Sequence, residues 1–366
     1  MSAQRAPIAR KAEPQRPEEG LPWQQIHAAI VALGQPAAAP QLHVLLSLLT
    51  QFVEENDDPR ASPHLRATGA DRLEHVAALL ARADVTSSSP TTSLLLLKAI
   101  KILARRQDVR QCCSQPVLEE LASLLSQAAP ASNSSTASSQ LAQSPVALAS
   151  EAANALSNLC YEPANCTGLL QAGGVPCLLQ MLKVESFSVD AQANAASALQ
   201  TLSFQPDARR AVVKAGGPAR LLAALPRQPA TASTSAAEAR LQQRLVGALH
   251  NLSSGADGIA AIRRHPGGIS ALVSLLPCRQ PGVAAAAAGA LHNLCREEQA
   301  RLDIRSHPDA LPGLAAVLTG SDTQAAVCAA GTLANLAGDA ARSMQALLAA
   351  ALAGGAVCHS CGSVSG

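Results

Sequence analysis

Apolar residues along this chain recur in two boxes held at a fixed offset. The first box reads NALSNLC at 154–160, SALQTLS at 197–203, GALHNLS at 247–253, GALHNLC at 289–295 and GTLANLA at 331–337. Its second leucine falls at Leu159, Leu202, Leu252, Leu294 and Leu336, and the gap from Leu202 to Leu252 is the longest of the four. A fainter copy, KAIKILA, places Leu103 at the same point, with a still longer gap before Leu159. The second box reads QAGGVPCLLQML from Gln171, KAGGPARLLAAL from Lys214, HPGGISALVSLL from His265 and HPDALPGLAAVL from His307. A degenerate copy, SQPVLEELASLL, starts at Ser114. Leucines three and four apart mark helices, and a common period of about 42 residues marks a repeat array.

The punctuation gives the anatomy of one unit. A short helix stops at Ala-Gly-Gly, where glycine takes the left-handed conformation at little steric cost. Pro176, Pro218 and Pro312 then fall at the start of a second helix, where a missing N–H is harmless. A polar turn leads into a longer Ala-rich third helix that ends in the first box. One unit cannot bury its own apolar faces, but stacked units can. The expected fold is all-α, a right-handed superhelical solenoid of about six three-helix repeats. The two long gaps contain Ser/Ala-rich tracts, Ala129–Ser144 and Gln228–Ala237. Removing them restores the common period, so both are expected to be exposed, disordered loop insertions.

With the Gly-Gly stop, the Leu-x-x-Leu-Leu helix and the closing A-L-x-N-L, the chain resembles the armadillo repeat family. The resemblance covers about Asn56–Gly338, with repeats near 56–104, 107–160, 163–203, 206–253, 256–295 and 298–337. HEAT repeats have a similar period but lack the Gly-Gly stop and the Asn box. The resulting division is a disordered N-terminus over 1–20, a helical cap over 21–55 that includes QLHVLLSLLTQFVEE, the repeats over 56–338, and a partial repeat or flexible tail over 339–366. The resemblance implies a concave face lined by third helices that binds an extended segment of a partner.

Composition narrows the function. Aromatic residues are only 1% of the chain while apolar residues are 48%. The core is therefore Leu, Ala and Val, which favours helix over sheet. Stacking platforms for single-stranded nucleic acid and aromatic cages are excluded on the same ground. With 28 basic and 26 acidic residues the formal charge is +2, unlike a dedicated nucleic-acid binder. The N-terminus has no apolar stretch of a secretory signal, and no apolar run is long enough for a membrane span. Ten scattered cysteines read as reduced thiols, which points to the cytoplasm, with nuclear, ciliary or organelle residence left open.

Four asparagines, Asn158, Asn251, Asn293 and Asn335, occupy one register position. Each amide has one donor and one acceptor side to offer an extended backbone, so together they read as a partner-binding ladder. The alternative is that each caps its own helix end. The ladder breaks at Ile102 and Thr201. Arg240 and Arg244 add charge beside its C-terminal half. One turn before each Asn stand Asn154, Ser197, Gly247, Gly289 and Gly331. Nuclear-import armadillo proteins commonly carry Trp there, so the small residues look catenin-like rather than importin-like. They are expected to open the surface.

His250 and His292 precede two of the asparagines and read as helix C-terminal histidines favoured by the dipole. Cys358-His359-Ser360-Cys361 is half of a zinc site with no second half. Phosphate-loop, serine-hydrolase and zincin motifs do not occur. No catalytic residue, cofactor, metal or small-molecule substrate is expected. The leading reading is a non-enzymatic scaffold for other proteins. The alternatives are a regulator of a small GTPase and a substrate adaptor of the ubiquitin pathway.

Overall fold

A computed structural model describes residues 25–26, 28–29, 38–62, 72–80, 90–128, 143–183, 187–226, 234–280 and 282–338. Two compact units divide at Thr68/Gly69. The first contains α1 (Ala38–Asn56), which buries Leu45, Leu49, Phe52 and Val53. Asn56 closes it: its amide donates to Phe52 O at 2.9 Å and its Oδ1 accepts from Ser62 Oγ at 2.7 Å.

The second unit is an all-α solenoid. Repeat 1 contributes α2 (Arg72–Leu80) and α3 (Pro90–Leu103). Repeat 2 has α4 (Gln107–Gln111), α5 (Gln115–Gln127) and α6 (Gln143–Leu159), and repeat 3 has α7 (Pro163–Gln171), α8 (Gly174–Met181) and α9 (Val189–Leu202). Repeat 4 has α10 (Pro206–Lys214), α11 (Gly217–Ala224) and α12 (Ala236–Leu252), and repeat 5 has α13 (Ala256–Arg264), α14 (Gly268–Val273) and α15 (Val283–Leu294). Repeat 6 has α16 (Glu298–Ser306), α17 (Ala310–Leu318) and α18, over 323–338. Residues 25–26 and 28–29 are also helical, and the other described residues outside these helices form turns and short connections, with no strand among them.

The third helices α3, α6, α9, α12 and α15 pack side by side in one row. First helices α7, α10 and α13 form another, and second helices α5, α8 and α11 a third. A third helix flanked on both sides must be apolar nearly all round. In α9, Ala191, Ala193, Ala195, Ala196, Ala198, Leu199 and Leu202 are all buried. Alanine suits this place because it forms helix well and lets two backbones approach.

The Gly-Gly stop divides its labour. Gly173, Gly216 and Gly267 have φ of 72°, 81° and 79°, the left-handed region that strains a side chain. The second glycine needs space instead of conformation. A Cβ on Gly268 would lie 2.1 Å from Ile262 O, and one on Gly217 would lie 2.7 Å from Val212 O.

The insertion boundaries differ from the sequence expectation. α6 already runs from Gln143, and α12 from Ala236. Ser235 builds a capping box there: its Oγ accepts from Glu238 N, and Glu238 Oε2 accepts from Ser235 N at 2.9 Å. This satisfies two groups that would otherwise be orphaned at the helix start, so the tract ends in helix instead of loop. Residues 129–142 and 228–233 of the two tracts, the segment 1–20 and the tail 339–366 lie outside the described residues.

Candidate functional site

The site is built on the row of third helices. Asn158 lies near the C-terminus of α6 and Asn251 near that of α12. Asn158 Nδ2 donates to Lys101 O of α3 at 3.0 Å, and Asn251 Nδ2 to Gln200 O of α9 at 3.1 Å. Both acceptors belong to the last turn of the preceding third helix, whose carbonyls have no partner within their own helix. The asparagine therefore caps its predecessor's helix instead of its own. Asn293 Nδ2 donates to Ser253 Oγ at 3.0 Å, again one repeat back. Asn335 is exposed, and its side chain makes no hydrogen bond among the described residues.

Asn158, Asn251 and Asn293 each spend the amide nitrogen on the neighbouring repeat. The Oδ1 atoms of Asn158, Asn251 and Asn293 accept nothing from the described residues, and all three side chains are part-exposed. Part-exposed acceptors without a partner among the described residues thus remain in repeats 2, 4 and 5.

Where the row is interrupted, Thr201 turns its hydroxyl to Ser197 O at 3.1 Å and Ile102 is buried. In α9 the inter-repeat link comes instead from Asn194, whose Nδ2 reaches Ser150 Oγ at 3.0 Å and Ser150 O at 3.2 Å. The sequence reading passed over Asn194 because it stands two helical turns before the box position.

Arg240 and Arg244 also reach back one repeat. Arg240 Nη2 pairs with Asp190 Oδ1 at 2.7 Å, and Arg244 Nη1 donates to Gln200 Oε1 at 3.2 Å. The first pair is well exposed, so it adds little to stability. Asp190 partly offsets the positive charge at that point.

The small residues before each Asn receive the preceding repeat. A Cβ on Gly247 would lie 2.3 Å from Gln200 Nε2, one on Gly289 would lie 2.7 Å from His250 Nε2, and one on Gly331 would lie 2.7 Å from His292 Nδ1. These glycines thus do not open the surface. They are sockets for the residue preceding the Asn position one repeat back. The signal was present in G-A-L-H-N-L: a bulky residue before one Asn goes with a glycine at the head of the next box.

The sockets also change the reading of His250. Burial, and then the neighbouring His292, hold its imidazole below the usual histidine range, so it packs as a neutral ring and not as a dipole-stabilised cation. A lowered native pKa means that the unfolded chain binds the proton more tightly, so stability falls as pH drops below about 6.5. The melting temperature is expected to decline between pH 7.5 and 5.5, and His250→Gln should flatten part of that slope. An unchanged slope would show that the ring is not buried in solution.

The described cysteines are all thiols without disulfides. Burial and the Glu74 carboxylate push the Cys113 thiol up to about 12, which leaves it without nucleophilic thiolate at neutral pH. Among the described residues no group of three or more His, Cys, Asp or Glu could hold a metal, and no helix is long and apolar enough to cross a membrane. Cys358, His359 and Cys361 lie outside the described residues.

Three-helix units stacked through Gly-Gly turns and Asn-bearing third helices define an α-solenoid repeat protein. The model of the armadillo/β-catenin-like repeat matches residues 169–204 and 256–296. An engineered protein solved by the Northeast Structural Genomics Consortium is 26% identical, with a TM-score of 0.57 over 72% of this chain and 96% of that one. A computationally designed armadillo repeat protein for modular peptide recognition aligns at 19% identity and a TM-score of 0.56, covering 72% of this chain and 99% of its own. A designed armadillo repeat protein in complex with the peptide (KR)4 gives 19%, 0.55, 72% and 99% for the same measures. No curated protein matches the sequence significantly. The chain thus carries armadillo/β-catenin-like repeats over those two stretches and shares the fold of designed armadillo repeat proteins.

Proposed function

We propose that this protein is a non-enzymatic scaffold that holds an extended segment of another protein along its third-helix row, centred on Asn251 and Asn293. The observation that carries this reading is the row of unused Oδ1 acceptors. An extended partner presents main-chain N–H groups at regular intervals, and each can donate to one amide oxygen without disturbing the inter-repeat bond on the nitrogen. Designed proteins of the same fold are made for peptide recognition, and one was solved with a bound peptide, which supports peptide binding as a use of this fold.

The partner differs in chemistry from a lysine- and arginine-rich peptide. The third helices α3, α6, α9, α12 and α15 carry Lys98, Lys101, Arg240 and Arg244 against Glu151, Asp190 and Glu238, a balance that offers a basic segment no advantage. The free thiols favour residence in a reducing compartment, the cytoplasm first.

The test is affinity purification from source cells with the wild-type chain and with Asn251→Ala/Asn293→Ala, each checked by thermal melting. Partners lost from a variant that still melts cooperatively support the groove. Partners retained equally by both would remove it.

A further inference from the structure

The turn after the third helix of repeat 4 is chemically unlike its counterparts. The residue two after the box leucine is Arg105, Tyr161, Phe204, Ser254 and Arg296 in repeats 1 to 5. Only position 254 offers an aliphatic hydroxyl, and Ser254 is exposed.

Two guanidinium groups converge on it. Arg209, from α10, meets Ser254 Oγ through Nη1. Arg296, from the turn after α15, donates Nη1 to Ser254 O at 2.9 Å. Among the described residues neither arginine has a carboxylate partner. Arg209 and Arg296 stand outside the ion pairs Arg106–Asp108, Arg210–Asp207, Arg240–Asp190 and Arg263–Glu297. Two cations from flanking repeats thus meet at one neutral serine.

The local backbone adds to this. α13 begins at Ala256 behind Gly255, which has no side chain to satisfy the first-turn N–H groups. A negative group at 254 would face the positive end of that helix. Asp257, three residues on, is exposed, so its repulsion is screened.

We infer that Ser254 is a phosphorylation site whose phosphate is clamped between Arg209 and Arg296, tying the repeat 4–5 junction to α10 and to the turn after α15. In the modification step a protein kinase supplies a nucleoside triphosphate. Ser254 Oγ attacks the γ-phosphorus, the bond from that phosphorus to the bridging oxygen breaks, the nucleoside diphosphate leaves, and the hydroxyl proton passes to the kinase's base. The serine gives up its donation to Asn251 O, 2.6 Å away. In exchange it gains charged oxygens facing two guanidinium groups, and charge-assisted bonds are roughly twice as strong as neutral ones. Ser254 bonds to Asn251 O, and its neighbour Ser253 accepts from Asn293 Nδ2, so the modification stiffens the central part of the third-helix row.

The test uses the full chain with phosphoserine placed at 254 by genetic encoding. Its phosphorus resonance is titrated, its melting is recorded, and the native chain from source cells is mapped for phosphopeptides. The second phosphate pKa, about 6 when free, is expected to fall by about one unit in the clamp. It should return toward its free value in Arg209→Ala/Arg296→Ala. The melting temperature is expected to rise by about 2 °C or more over the unmodified chain. A phosphate that titrates at its free value in both backgrounds overturns the clamp even if the double variant is unstable. Unmodified Ser254 in chain recovered with phosphatases inhibited overturns the modification itself.

Discussion

Gly258→Ala is expected to lower the stability of the solenoid by about 3 kcal/mol, while Gly255→Ala, three residues earlier in the same turn, is expected to change it by less than about 1 kcal/mol. The contrast follows from what each new methyl would meet. At 258 a Cβ would sit 1.9 Å from Leu252 O and 2.7 Å from Leu252 C. That is backbone, and it cannot swing away as a side-chain tip can. Leu252 itself is fully buried, and its carbonyl already accepts from Gly255 N at 3.3 Å. Accommodating the methyl therefore means moving α13 off α12. The first turns of α10 and α16 carry Ala208 and Ala300 at the matching place, so the glycine is particular to this junction. At 255 the nearest atom is Arg209 Nε at 3.9 Å, and φ is −104°, a conformation that any residue adopts. Urea unfolding of both variants checks the pair. Equal losses would mean that the solenoid relaxes freely at this junction.

Replacing Asn251 and Asn293 together by alanine is expected to act twice. Each substitution removes an inter-repeat hydrogen bond, worth about 1 kcal/mol net, so unfolding should become easier by about 2 kcal/mol if the two add. Each also removes an outward Oδ1. Loss of two main-chain bonds should weaken partner binding by roughly tenfold or more. The two effects separate at Asn335, whose side chain makes no hydrogen bond among the described residues. Asn335→Ala should weaken binding with little effect on melting. A titration in which Asn335→Ala binds normally while the double variant fails would assign the loss to damage of the solenoid.

The repeat period, the three helices per unit and the Gly-Gly stops were legible in the sequence because each rests on local chemistry. Leucines at helical spacing and a glycine with positive φ announce themselves within a short stretch of chain. The row of asparagines was visible as a register, but its bonding was not. Which carbonyl an Asn reaches depends on how far the next third helix slides along its neighbour, and no single repeat contains that information. The same limit hid the sockets. Gly289 looked like a gap until His250, from the repeat before it, was found filling it. Arg209 in α10 and Ser254 and Arg296 in two different turns meet only through stacking.

The sockets also govern the order in which units can follow one another. The unit over 256–295 carries both halves of the fit, Gly289 to receive a bulky residue and His292 to fill the next unit's glycine. A copy of it inserted after itself would meet compatible neighbours on both sides. The unit over 163–203 carries Ser197 where that glycine would be needed, and placed after repeat 4 it would press a side chain into the His250 ring. Tandem duplication can therefore lengthen this array from its fifth unit, while shuffling the third into that position would not fit.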